Sequence, residues 1–175
     1  MQEHEPSEAG GRAWLNDLLE ALGGNNEAIK AAVTEVAAMC ADSPPPVGWI
    51  DFRKHPQITV YVLQGGIVHV VRGETDRQPQ GSDVGASEDT RCRCSQIAVA
   101  SEATCSLTVV RTVRATGPSS VMRLWGIKFG DEDLALSDPT EHDYRRAPDP
   151  APFARGMITA IARAKAGRVT CGEGA

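Results

Sequence analysis

The spacing of apolar positions divides the chain into helical ends and a strand-rich middle. In RAWLNDLLEALGG, Trp14, Leu15, Leu18, Leu19 and Leu22 recur at i, i+1, i+4, i+5 and i+8. That stripe predicts an amphipathic helix, stopped by Gly23-Gly24. Asn25 and Asn26 are placed to cap a second helix reaching Cys40, with Ile29, Val33, Val36 and Cys40 along one face. Three prolines in SPPPVG, residues 43–48, cannot continue a helix and predict a stiff extended linker.

The pattern then changes from a period of 3.6 to a period of 2. In QITVYVLQGGIVHVVRGE two β-branched runs flank Gly65-Gly66, which predicts a tight hairpin with Val62 opposite His69 and Val60 opposite Val71. One face of that hairpin holds Ile58, Val60, Val62, Ile67, His69 and Val71, and the other Thr59, Tyr61, Leu63, Val68, Val70 and Arg72. Residues 74–90 contain one aliphatic side chain and predict a loop. Strand-like runs follow in RCRC, QIAVA, SLTVVRTV, SVMRLWGIKF and DLALS, then a proline-rich acidic stretch, DPTEHDYRRAPDPAP. In PFARGMITAIARAKAG, Phe153, Met157, Ala160, Ile161 and Ala164 share one face of a last helix, with Gly167 as its expected stop.

These elements predict an α+β protein: a small antiparallel, partly open β-barrel or sheet, with an N-terminal helix pair and a C-terminal amphipathic helix. The expected boundaries are a tail at 1–11, the helical pair at 12–42, the linker at 43–48, the β domain with its closing helix at 49–167, and a tail at 168–175. The hairpin at 57–73, the run VMRLWGIKF with its central Trp125 and the helix at 152–166 together resemble the pleckstrin-homology-like fold. That fold is a bent seven-stranded barrel plugged by a C-terminal helix. The layout is also similar to that of small actinobacterial proteins with a short helix pair before such a hairpin. The loop Leu63-Gln64-Gly65-Gly66-Ile67 lacks the basic residues of the lipid-binding pattern, so the resemblance does not imply phosphoinositide binding.

Charge refines this picture. The net charge of −5 is unevenly spread: residues 1–42 carry −6, 90–130 carry +5 and 131–149 carry −5. A basic strand region on an acidic chain can select an anionic or acidic partner. Arg91 and Arg93 share a strand face, and Arg114 has the parity of Thr108 and Thr112. With Arg53 and Lys54 these are the candidate partner-binding residues. Arg111 and Arg123 instead fall on the parity of Val109 and Val121, which predicts a bulge, an edge strand or a buried ion pair. The charge pattern argues against nucleic acid as a ligand: the second helix offers Lys30 against Glu27 and Glu35, within the most acidic segment.

Candidate chemistry centres on Cys92-x-Cys94. On a strand both thiols point one way and Arg91 and Arg93 the other, so the pair reads as two small hydrophobes. A tetrahedral metal site would need a second close ligand pair, and the sequence offers none. The acidic run GDEDLALSDPTEHDY lacks the glycine and glutamate positions of a calcium loop. No nucleophile elbow, phosphate-binding loop or dinucleotide fingerprint occurs. The sequence therefore predicts no cofactor, no metal and no membrane insertion. Five irregularly spaced cysteines and an opening without an apolar leader predict a cytoplasmic protein. The expected role is a noncatalytic protein-interaction or regulatory module, working through the basic face or an exposed strand edge. The alternative is a small-ligand carrier or enzyme using the barrel interior near His69, Cys92 and Cys94. The apolar stripe of the first helix must be covered, either by the barrel or by a second copy, and the second case makes Trp14, Leu18 and Leu22 a candidate homodimer face.

Overall fold

The computed structural model describes residues 13–24, 26–41, 44–54, 56–75, 91–112, 120–138 and 148–171. Among them, α1 (Ala13–Leu22) and α2 (Glu27–Met39) precede four strands, β1 (Val47–Asp51), β2 (Gln57–Gln64), β3 (Ile67–Glu74) and β4 (Arg93–Ala98). Three more follow, β5 (Thr104–Thr112), β6 (Ser120–Phe129) and β7 (Glu132–Ser137), and then α3 (Ala151–Cys171). The strands form two antiparallel meanders, β1-β2-β3-β4 (sheet A) and β5-β6-β7 (sheet B). The α+β class fits the expectation; the strands stand as two sheets and are not closed into a barrel.

Sheet A is covered on both sides, which is why β2 and β3 read as nearly unbroken apolar runs. Its helix face carries Ile50, Ile58, Val60, Val62 and Val71, packed on Leu15, Leu18 and Leu22 of α1 and Ile29, Val33 and Val36 of α2. Its inner face carries Trp49, Tyr61, Leu63, Val68 and Val70. These meet Trp125, Ile127, Phe129, Leu134 and Leu136 of sheet B, and Phe153, Met157 and Ile161 of α3. Each fully buried side chain of that size contributes roughly 1.5–3 kcal/mol. The helix packs on β1, β2, β5 and β6, so it spans from one sheet to the other.

The hairpin register is the one the sequence predicts: Val62 lies opposite His69 and Val60 opposite Val71, with Gly65 and Gly66 at φ 58° and 92°. Those left-handed conformations match the twist of the flanking strands and favour glycine. Several boundaries differ. Val47 and Gly48 belong to β1, because sheet A supplies ladder partners for a segment that sequence alone assigns to the linker. RCRC and QIAVA contribute to one strand, β4, and α3 continues past Gly167 to Cys171. Asn26 does not cap α2 through its side chain; its Nδ2 donates back to the Leu22 carbonyl at the end of α1. Asn25, His55, Arg114 and residues 76–90 and 139–147 lie outside the described residues.

The first-helix stripe has its cover within the chain. Leu18 and Leu22 are 2% and 3% exposed beneath sheet A, and Trp14 packs at the margin of the same cluster. Leu18 and Leu22 are therefore not exposed beside Trp14 as a homodimer face: sheet A presents a second apolar face, and the helices occupy it. No described helix is long and apolar enough to cross a membrane.

Candidate interaction surface

The basic residues expected to form one patch are divided among different tasks. Arg53 forms a bidentate pair with the buried Asp51, with Nε to Oδ1 and Nη2 to Oδ2 both at 2.8 Å. It also donates to the Ala135 carbonyl of β7 at 2.6 Å and lies 5.7 Å from the Trp49 ring centroid. Burial raises the Asp51 pKa, but hydrogen bonds and charge from Arg53 outweigh it and hold the carboxyl below its ordinary range. Arg53 is thus a strut between the sheets rather than a free cation. Lys54 is exposed in the turn before β2.

Arg91 and Arg93 are exposed. Arg93 is directly opposite Arg72 in the β3–β4 ladder, an unfavourable pairing of like charges. Glu132 of β7 relieves it by pairing with Arg72. The same carboxylate accepts a 3.0 Å hydrogen bond from the Tyr61 hydroxyl.

The thiols and His69 occupy the helix face of sheet A. Cys92 packs at the margin of the helix-side core, whereas Cys94 is exposed opposite Val71. His69 is buried, with Gln96 directly opposite and the Gln96 amide nitrogen 3.4 Å from Nδ1. If that amide donates, Nδ1 accepts and the ring proton resides on Nε2. Burial lowers the His69 pKa and raises those of Cys40 and Cys105, favouring neutral forms in all three. No three described His, Cys, Asp or Glu side chains come together in a metal-binding group.

Sheet edges differ more than these side chains do. The β1 edge is five residues long and lies against α1 and α3. The β4 edge is six residues long and begins with Arg93. The β7 edge carries Glu132 and Asp133, and one of its carbonyls already accepts from Arg53. In contrast β5 runs for nine residues without proline, glycine, lysine or carboxylate, and Ser106–Thr112 are all exposed. Its free side pairs with no described strand. Proteins usually shield such an edge with charge, proline, a bulge or a covering element.

The apolar side chains on this edge are exposed as well. Leu107 faces Trp125 across the β5–β6 ladder, Val109 faces Arg123, and Arg111 faces Val121. All six therefore lie on the inner face of sheet B, on which Trp125 enters the core. The strands extend beyond that core, leaving Leu107 53%, Val109 58% and Val121 62% exposed. Arg123 is held by Asp138 through Nη2 at 2.8 Å and Nε at 3.0 Å, and its guanidinium lies 5.2 Å from the Trp125 ring centroid. The anomalous parity of the two arginines thus has two outcomes, an edge strand for Arg111 and an ion pair for Arg123. Sequence reasoning missed the surface because Leu107, Val109 and Val121 have the spacing of core residues. Arg111 on their face was the available signal.

Comparison of the chain with family models, curated proteins and solved structures finds no match in any of the three.

Proposed function

We propose that this chain is a noncatalytic interaction module that takes an extended segment of another protein onto the free edge of β5, in a regulatory or assembly role. The supporting observation is the contrast between edges: three are only five or six residues long, while β5 is nine residues long and, although α3 also packs on it and it carries Arg111, exposed from Ser106 to Thr112. An added strand would obtain main-chain hydrogen bonds from β5 and side-chain contacts from Leu107 and Val109. The pleckstrin-homology-like reading of the fold belongs to the same proposal. It is supported by four strands followed by three, with a final helix reaching from one sheet to the other. A cytoplasmic setting completes it, supported by Cys40, Cys94 and Cys105, which form no disulfide among the described residues.

The test is selection of binders from a library of seven-residue extended peptides, followed by mapping through amide chemical shifts. Perturbations concentrated on residues 106–112 and abolished by Val109→Lys support the edge. Binders that map instead to Arg91 and Arg93, unaffected by Val109→Lys, would move the interaction to the basic face of sheet A.

A further inference from the structure

Arg111 is the unusual residue of the β5 surface. It projects from the inner face among Val109 and Val121, with no ion pair or hydrogen bond among the described residues. Its diagonal neighbour Arg123 is neutralised by Asp138, and Lys128 at the other end of β6 meets Asp133. Neither β5 nor β6 contains a carboxylate. The arm therefore presents two exposed aliphatic side chains and then one unpaired guanidinium, at alternate positions on one face.

We infer that the segment received by β5 is an acidic–apolar strand of another protein, running antiparallel to β5, with a carboxylate beside Arg111 and aliphatic side chains beside Val109 and Leu107. This rests on the edge-binding reading above. In an antiparallel strand the side chains beside Arg111, Val109 and Leu107 come in that order from N to C. The recognised pattern is Asp or Glu, any residue, aliphatic, any residue, aliphatic. The intervening side chains fall on the opposite face, beside Val110 and Thr108, where β-branched and small polar residues fit.

Sheet B already contains one strand of this pattern. The run Glu132-Asp133-Leu134-Ala135-Leu136 in β7 is antiparallel to β6, with Leu134 opposite Ile127 and Leu136 opposite Trp125. Its acidic residue likewise meets an arginine, Arg72 of the facing sheet. The occupant would be the counterpart of β7 on the other side of the sheet.

Charge favours an acidic partner over a second copy of this chain. Two β5 strands centred on Thr108 would set Leu107 against Val109 twice, but would place each Arg111 opposite Cys105. Both guanidiniums would remain unpaired. An incoming carboxylate removes that deficit and fixes the register of a strand that apolar contacts alone leave free to slip.

The experiment measures fluorescence anisotropy of labelled heptapeptides SETVTLS, SQTVTLS and SKTVTLS against the full chain, at low and high salt. SETVTLS should bind most tightly, with SQTVTLS about 1.5- to fivefold weaker, the range of an exposed ion pair. The difference should shrink at high salt, and Arg111→Glu should invert the order of SETVTLS and SKTVTLS. Equal binding of SETVTLS and SQTVTLS, both lost in Val109→Lys, would overturn the acidic pattern while leaving the edge reading intact. Binding of none of the three would overturn both. Sedimentation as a dimer that Val109→Lys dissociates would assign the edge to a second copy and overturn the inference. The wild-type peptide series requires no variant to fold; Arg111 and Val109 are both exposed.

Discussion

The Tyr61 hydroxyl on sheet A donates a 3.0 Å hydrogen bond to Glu132 Oε2 at the start of β7, so one carboxylate joins the two sheets. Its other oxygen pairs with Arg72, two strand positions from the Tyr61 partner Val70 in the ladder. The ring is equally central: it stacks on Trp49 at 5.8 Å and meets Phe129 and Phe153 at 6.4 and 6.2 Å. One side chain thus touches β1, β6 and α3 while its polar end reaches β7. The geometry explains how two unclosed sheets hold a fixed relation.

Tyr61→Phe keeps the ring contacts and removes this hydrogen bond. A hydrogen bond to a charged group is worth about 1.5–3 kcal/mol, so urea unfolding at pH 7 should show a loss in that range. The pH dependence identifies the group. Burial first, and then Glu132, raise the Tyr61 pKa well above its ordinary value. Above about pH 10 an unfolded tyrosine releases its proton while the folded one retains it. Stability therefore falls as pH rises beyond about 10. That component of the slope should be absent in Tyr61→Phe; an identical slope in both proteins would remove Tyr61 as its origin.

His69 gives the opposite dependence. Burial lowers its pKa below the ordinary histidine value of about 6.5, so below that pH the unfolded chain binds a proton more readily than the folded one. Its contribution is complete above about pH 6.5 and is lost as pH falls. Denaturant midpoints at pH 7.5, 6.0 and 5.0 should decline in wild type and decline less in His69→Gln. Equal declines would assign the acid sensitivity to other groups.

The helix stripes and the β2–β3 register were legible because each depends on local physics. Leu15, Leu18 and Leu22 follow the helical period, and Gly65-Gly66 fixes a two-residue turn that leaves one possible register. What covers the α1 stripe was less accessible, although Ile58, Val60 and Val62 on the second face of the hairpin were the relevant sign. β1 escaped detection because five residues after a proline run carry little periodicity, and only partners distant in sequence make them a strand. The exposure of Leu107, Val109 and Val121 depends on where the core ends, a tertiary property that alternation does not encode. Arg111 was visible as a charge on an apolar face, but its lack of a partner emerges only when Asp138 is found on Arg123.

Gly73 and Gly156 are two of the glycines at which any side chain must displace a neighbour. A Cβ on Gly73 would lie 2.7 Å from both Ile29 Cγ1 and Cys92 Sγ, where α2 crosses β3. A Cβ on Gly156 would lie 2.9 Å from Leu63 Cδ2 and Val47 Cγ2, where α3 crosses sheet A. Overpacking of this kind costs about 1–3 kcal/mol. Alanine also raises helix propensity at 156 by about 1 kcal/mol. Gly73→Ala should therefore lose more stability than Gly156→Ala in denaturant titration. The reverse order would mean that the α2–sheet contact yields more easily than the α3 contact.

The exposed aliphatic residues of sheet B should prove dispensable for folding. Val109 and Val121 are more than half exposed, and threonine preserves their β-branched shape. Val109→Thr and Val121→Thr should each change unfolding free energy by no more than about 0.5 kcal/mol, as surface substitutions usually do. On the same face, Trp125 is 4% exposed, and Trp125→Ala should cost about 3–5 kcal/mol. The contrast would locate the boundary of the core between Trp125 and Arg123. It would also separate stability from association: Val109→Thr should unfold like wild type yet bind SETVTLS more weakly. A loss above about 2 kcal/mol in either threonine variant would show these residues belong to the folded core after all. The β5 edge would then lose its apolar docking face.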